Sequence, residues 1–231
     1  PRVLGHEISG IIDAVGKNVE GYAPGMRVHV HPGIACGTCY YCKSGYDNLC
    51  DHVRIMGFNY DGGFQEYLTI PAEGVQGKIV NIIEDDDLSF EEISFIEPLS
   101  CCVNVQENMA LEPEDPVRAK QAEAFGFDGI FKSDAEAESQ INLLTNGKGV
   151  DAVIPCCAAT EAMNLGFKLL AKKGCFGHFS GIIQSPNSLP EINVIHYKEQ
   201  TMVGAYGCGI AHSRHAKALL ESGKLIVKDL I

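Results

Sequence analysis

Several features that would point to other classes of protein are missing from this 231-residue chain. It has no run of 18 or more apolar residues, so the sequence predicts no transmembrane helix. Its formal net charge of -12 provides no basic surplus for a nucleic-acid-binding surface. Its first residues, PRVLGHEISG, do not have the pattern of a signal peptide. We therefore expect a cytoplasmic protein that binds neither a membrane nor a nucleic acid.

A glycine fingerprint is also absent, although the second half of the chain has the pattern in which one is expected. From residue 116, short apolar segments alternate with helical segments, which predicts an α/β fold with a doubly wound parallel sheet. A dinucleotide-binding domain with this layout carries GxGxxG after a strand, and the sequence contains no such string. The layout therefore indicates a cofactor domain without its phosphate-binding turn.

Cysteine, by contrast, is abundant, with ten in the chain. The stretch CGTCYYCKSGYDNLC places Cys36, Cys39, Cys42 and Cys50 two, two and seven residues apart, a spacing typical of a structural zinc site. Two disulfides, free thiols or a bound iron ion are the alternatives. The other cysteines lie in apolar segments, which fits a reducing compartment better than a disulfide framework. They are Cys101, Cys102, Cys156, Cys157, Cys175 and Cys208.

The first half of the chain has the composition of an irregular β domain. Its short β-branched segments are bounded by glycine or proline and predict strands at 8–15, 26–31 and 66–70. His6 and Glu7 stand immediately before the first strand. Neighbouring side chains on an extended strand point to opposite faces. Both can therefore face one ion only if the backbone is irregular, which Gly5 would permit.

The order of these motifs resembles that of the zinc-containing medium-chain dehydrogenase/reductase family, in its sorbitol and threonine dehydrogenase branch. GHEISGIIDAVGKNV is followed by the four-cysteine stretch and then by GGFQEY. The resemblance implies a GroES-like, β-rich catalytic domain over residues 1–105, with a zinc lobe at 36–50. It also implies a Rossmann-type nucleotide-binding domain over 106–231.

The resemblance further implies a catalytic zinc ion held by the histidine and glutamate of GHE, which are His6 and Glu7 here. A second glutamate, in a Glu-Pro-Leu string, approaches this metal in the family, and Glu97 occupies that position. The family also supplies a cysteine ligand from a segment upstream of GHE. No cysteine of this chain lies there, and we interpret the difference as truncation.

The second domain resembles the family except near residue 115. QENMALEPED resembles the segment before the first strand of the cofactor domain, and PVRAKQAEAFGFD resembles the helix after the second strand. We therefore expect that a first βαβ unit is missing between them, and that the sequence is part of a longer protein. Candidate contacts to the cofactor are Arg118, Cys157, Gly181 and Ala205. The last three lie at the carboxyl ends of predicted strands, beyond which a doubly wound sheet binds its ligands.

The sequence thus leads us to expect a zinc-dependent enzyme that transfers hydride from a secondary alcohol to NAD or NADP. A polyol, sugar alcohol or amino alcohol is the expected substrate, because Glu-Pro-Leu replaces the cysteine ligand of simple-alcohol enzymes. The resemblance also implies a homo-oligomer, either a dimer or a tetramer. The alternatives are a zinc-independent quinone or enoyl reductase of the same superfamily, and a non-catalytic binding module stabilised by zinc.

Overall fold

A computed structural model describes residues 2–111, 129, 131, 135–182 and 192–231. The strands are β1 (Ile8–Ile11), β2 (Arg27–Val30), β3 (Gly33–Ile34), β4 (Arg54–Ile55), β5 (Val80–Ile82), β6 (Val150–Val153), β7 (Leu170–His178) and β8 (Thr201–Gly204). The helices are α1 (Tyr40–Lys43), α2 (Ala72–Gln76), α3 (Phe90–Ser94), α4 (Ile96–Asn108), α5 (Ala135–Leu144), α6 (Thr160–Leu169), α7 (Ile192–Lys198) and α8 (Ile210–Glu221). Among the described helices, none is both long and apolar enough to cross a bilayer.

The chain divides into two compact units. The first contains Pro1–Asn104 together with Tyr206–Ile231, and the second contains Val105–Ala205. The first division lies one residue from the predicted domain boundary after residue 105. Residues 206–231, which the sequence assigns to the nucleotide-binding domain, group with the first unit instead.

The first unit is built around an antiparallel sheet in the order β1-β2-β5. Successive side chains of β2 point to opposite faces of the sheet, and both faces are buried. Val28 and Val30 enter an apolar core with Ile8. His29 and His31 are also buried and are oriented away from that core, and His29 contacts Asn81 of β5. A second apolar core joins α3 and α4 to α8 within the same unit.

The strand predicted at 66–70 is wrong, because this segment has no regular secondary structure. Leu68 and Ile70 still pack against the core that contains Val28 and Val30. Their partial burial explains the apolar residues of this segment, but the ladder position beside β2 belongs to β5. The short β-branched segment thus identified partly buried side chains and not a hydrogen-bonded strand.

The second unit contains the predicted parallel sheet, in the order β6-β7-β8. Helix α6 packs on it through Phe167, which stacks on Phe176 of β7 at 4.1 Å between ring centroids. The sequence pattern of residues 160–174 predicts one continuous helix, but the structure ends this helix at Leu169. The amino group of Lys198 and the amide of Gln200 donate to carbonyls at that end of the helix, and these distant contacts have no local sequence signal.

Candidate metal and catalytic sites

The sulfur atoms of Cys36, Cys39, Cys42 and Cys50 all lie within 4.8 Å of one another. Helix α1 begins directly after Cys39 and turns the thiol of Cys42 back, so that these two sulfur atoms are 3.5 Å apart. The sulfur atoms of Cys36 and Cys42 are 3.9 Å apart. A tetrahedral zinc ion with bonds of about 2.3 Å needs sulfur atoms about 3.8 Å apart. The predicted ligands therefore fit a zinc ion, and none of the ten cysteines forms a disulfide.

Hydrogen bonds within this lobe stabilise the thiolate form of Cys36. The hydroxyl and N–H of Thr38 and the N–H of Cys39 donate to the sulfur of Cys36 and lower its pKa to about 5. Burial instead raises the pKa of Cys42 to about 12. Four sulfur donors match a soft divalent cation. Such a cation would also favour ionisation of Cys42, which does not ionise readily without one.

The turn before β1 brings His6 and Glu7 to one point. Gly5 has φ +97°, a left-handed conformation that a residue with a side chain adopts at a cost, so the irregular backbone expected at this glycine is present. The GGF segment packs on this turn: the N–H of Gly62 donates to Val3 at 2.9 Å, and that of Gly63 donates to Gly5 at 2.9 Å. The His6 ring packs against Phe58 at 5.4 Å between ring centroids.

Glu97 completes this group from the first turn of α4. The next residue, Pro98, is compatible with a first turn, where an N–H has no partner within the helix. A nitrogen of His6 and carboxylate oxygens of Glu7 and Glu97 lie within 4.8 Å of one another. Glu97 is 8% exposed. Burial raises its pKa, and the charge of Glu7 adds to this effect while His6 opposes it. The three predicted ligands thus fit a divalent cation, which would stabilise the ionised carboxylate.

Two thiols that the sequence analysis did not associate with this site also contact Glu97. The sulfur atoms of Cys101 and Cys208 lie 3.9 and 4.0 Å from the same carboxylate oxygen. Cys101 could have been found from the sequence, because it stands four residues after Glu97 on one helix. Cys208 is 111 residues away from Glu97 in the chain and carries no such signal.

The segment that carries Cys208 is fixed by amide side chains of the first unit. The buried Asn104 of α4 donates to the carbonyl of Gly207 at 2.9 Å. Asn48, in the zinc lobe, donates to the carbonyl of Tyr206 at 3.0 Å. Asn48 of the zinc lobe and Asn104 of α4 therefore both hold the backbone just before Cys208.

The predicted cofactor contacts in the second unit lie at one edge of its sheet. Cys157 follows β6, Gly181 follows β7 and Ala205 follows β8 directly. Because the strands are parallel, their carboxyl ends share an edge, and Cys157 and Gly181 are exposed there. Arg118 lies outside the described residues.

Two family profiles match the chain. The profile described as "Alcohol dehydrogenase GroES-like domain" matches residues 1–79. The profile described as "Zinc-binding dehydrogenase" matches residues 113–222. One match lies within each of the predicted domains, and together the two matches include most of the chain.

Sequence similarity to known proteins extends over nearly all of the chain. L-galactonate-5-dehydrogenase of Escherichia coli is 28% identical over 260 residues, covering 97% of this chain and 73% of that protein. Sorbitol dehydrogenase of Halalkalibacterium halodurans is 28% identical over 266 residues, covering 100% of this chain and 76% of that protein. The aligned span exceeds the 231 residues of this chain, so that enzyme has residues within it that have no counterpart here.

The fold also matches a solved structure. The alcohol dehydrogenase rspB from Escherichia coli, determined in complex with the cofactor NADH, superimposes with a TM-score of 0.82 at 23% identity. The match covers 98% of this chain and 74% of that one. At this identity the likeness establishes a shared fold.

Proposed function

Because this chain belongs to the zinc-containing medium-chain dehydrogenase/reductase family, we propose that it oxidises a secondary alcohol with NAD or NADP as hydride acceptor. A polyol, a sugar alcohol or an amino alcohol is the proposed substrate class. The similarity to L-galactonate-5-dehydrogenase and to sorbitol dehydrogenase supports a substrate with several hydroxyl groups.

The main support for this proposal is that potential ligand atoms of His6, Glu7 and Glu97 lie close together. We propose that these residues hold the catalytic zinc ion, which when bound supplies a Lewis acid for the substrate oxygen and lowers the pKa of the hydroxyl group. The ring of Phe58 packs against His6 and limits its rotation. Glu97 is the ligand proposed to exchange with water or substrate, because its carboxylate has two other neighbours, the thiols of Cys101 and Cys208.

The cofactor is proposed to bind at the carboxyl edge of the parallel sheet. Cys157, Gly181 and Ala205 would contact it, and the small side chains at these positions leave room for the nicotinamide to approach. Among the residues that the structure describes, none has an atom within 4 Å of the position where Gly181 would carry a side chain. Arg118 is retained as a proposed contact on the basis of the sequence alone.

Cys36, Cys39, Cys42 and Cys50 are proposed to hold a second, structural zinc ion. With four protein ligands the coordination sphere is closed, so this site stabilises the fold and does not take part in the reaction. We further propose a cytoplasmic location, because ten reduced cysteines fit a reducing compartment. A dimer or tetramer is proposed from the family resemblance.

An assay of nicotinamide reduction tests this function. The zinc-loaded protein is mixed with NAD or NADP and a panel of polyols, sugar acids and amino alcohols, and the reduced cofactor is followed by its absorbance. We expect turnover with at least one member of the panel. His6→Ala should lower kcat/KM by more than about 100-fold, because even residues that only orient metal ligands contribute 10- to 100-fold.

His196→Ala is the matched control, because it removes an exposed histidine of α7 and should retain activity. Reduction of an activated double bond with no alcohol oxidation would identify a reductase. A protein that binds zinc in the cysteine lobe and turns over no substrate would be a binding module.

A further inference from the structure

Glu97 belongs to two separate groups of potential metal ligands. One is the proposed catalytic group with His6 and Glu7, and the other consists of Glu97, Cys101 and Cys208. We propose that this second group is a metal site in its own right, which binds a soft divalent cation such as Zn²⁺ or Cd²⁺. The two groups share Glu97, but neither thiol is a proposed ligand of the catalytic zinc ion, so cation binding at this site does not require alcohol oxidation.

The distances require only a small adjustment for metal binding. The Glu97 oxygen lies 3.9 Å from the sulfur of Cys101 and 4.0 Å from that of Cys208. In a tetrahedral zinc site, an oxygen and a sulfur ligand lie about 3.5 Å apart. Each sulfur atom therefore has to approach the oxygen by about 0.5 Å, which a small rotation of the side chains provides.

The positions of the three ligands are fixed by the backbone that carries them. Glu97 and Cys101 are four residues apart on α4 and therefore lie on one face of the helix. Asn104, one turn beyond Cys101, holds the backbone of Gly207 next to Cys208. Since Glu97 and Cys208 are both buried, the ligands would bind a cation with little further loss of conformational freedom.

The donor set determines which cation fits. Two thiolates select zinc or cadmium over magnesium and calcium, which prefer oxygen ligands. Three protein ligands leave the fourth tetrahedral position for solvent or another ligand. The His6 and Glu7 pair supplies no sulfur, so a cation in this second site is distinguished from one in the catalytic group by its metal–sulfur bonds.

Cadmium titration measures those bonds. The protein is reduced, stripped of metal and titrated with up to three equivalents of Cd²⁺, and the sulfur-to-cadmium charge-transfer absorbance is recorded. The cysteine lobe contributes four sulfur ligands and the proposed site contributes two. The variant C101S/C208S should therefore lose about a third of the final absorbance and one equivalent of tightly bound Cd²⁺.

Two controls separate this result from general effects. C102S/C175S removes the same number of cysteines, including the neighbour of Cys101 on α4, and should retain the full absorbance. His6→Ala should also retain it, because the catalytic group contains no sulfur. If the double variant does not fold, C101S alone should lose about one sixth of the absorbance.

Undiminished absorbance in C101S/C208S, or an equal loss in C102S/C175S, would overturn the proposal. Failure of alcohol oxidation would leave these readings unaffected, so the two proposals are tested separately.

Discussion

At the scale of single residues, the lack of a side chain at Gly57 and Gly62 permits the close backbone packing that positions His6. A methyl group on Gly62 would collide with the carbonyl oxygen of Gly5 and would lie 2.6 Å from that of Leu4. A methyl group on Gly57 would lie 2.8 Å from the carbonyl oxygen of Gly5. The GGF motif is therefore needed so that its backbone can approach the turn that presents His6.

Gly62→Ala should destabilise the protein by about 3 kcal/mol, because the obstructing atoms belong to the backbone and cannot rotate away. It should also weaken metal binding at His6, since the turn must move. Urea unfolding measures the first effect and metal titration the second. Gly10→Ala is the matched control, because no atom of the described part of the chain lies within 4 Å of the added carbon. It should remain within about 0.5 kcal/mol of wild type.

A second residue-scale feature is a pair of buried histidines, His29 of β2 and His31, the first residue after that strand ends. Burial, with a smaller contribution from the charge of His31, lowers the pKa of His29 to about 3. Burial lowers that of His31 to about 4, with Asp47 opposing the shift and His212 adding to it. Nε2 of His29 and Nδ1 of His31 have no hydrogen-bond partner among the described residues, so a proton added at either atom would lack an acceptor.

These pKa values predict a loss of stability in weak acid. In the unfolded chain both histidines take up protons below about pH 6.5, whereas in the folded chain they remain neutral until about pH 3 to 4. The unfolded state therefore binds more protons in that window, and stability falls as pH falls. Each histidine should contribute a loss of about 2 kcal/mol between pH 7 and pH 5.

Urea unfolding at a series of pH values checks this prediction. The variant H29Q/H31Q should show a shallower decline in the free energy of unfolding over that range. H196Q, which changes an exposed histidine, should reproduce the wild-type decline. A decline in H29Q/H31Q as steep as that of wild type would show that other groups cause it.

At the scale of secondary structure, a helix is capped by a residue from the zinc lobe. Helix α8 begins after Gly209, which has no side chain to serve as a cap. The carboxylate of Asp47 accepts the N–H of Ile210 at 2.9 Å and places a negative charge at the helix N-terminus. The lobe therefore supplies what the local sequence of α8 does not.

Asp47→Ala should reduce the free energy of unfolding by about 1 to 2 kcal/mol, since the first N–H of α8 loses its acceptor. Asp47→Asn keeps an oxygen at that position and should lose less. Chemical denaturation compares the two. Equal losses in both variants would indicate that charge alone matters, and no loss in either would contradict the capping role.

The same elements show what the sequence can predict. The β1 and β2 strands, the alternation of helix and strand after residue 135 and the α5 helix follow from local patterns, and the structure contains them. The predictions are wrong at 66–70 and at the end of α6, where contacts with residues distant in sequence determine the secondary structure. The ladder position beside β2 is taken by β5, and the carbonyls of α6 are satisfied by Lys198.

At the scale of the whole molecule, the candidate sites differ in how far the sequence alone could predict which residues come together. The four cysteines of the lobe are close in sequence, so their spacing alone predicted a cluster that the structure also forms. His6 and Glu97 are 91 residues apart, and only the family resemblance associated them. Cys208 joins Glu97 through the return of residues 206–231 to the first unit, which neither spacing nor resemblance indicated.

In the proposed reaction, hydride passes directly from an alcohol carbon to the nicotinamide. It is tested most directly with the best substrate of the panel, carrying deuterium on the carbon that is oxidised. The reduced cofactor should then be one mass unit heavier by mass spectrometry, and the rate of the chemical step should fall. A reduced cofactor without the label, or no reduced cofactor from any alcohol of the panel, would contradict direct hydride transfer from an alcohol.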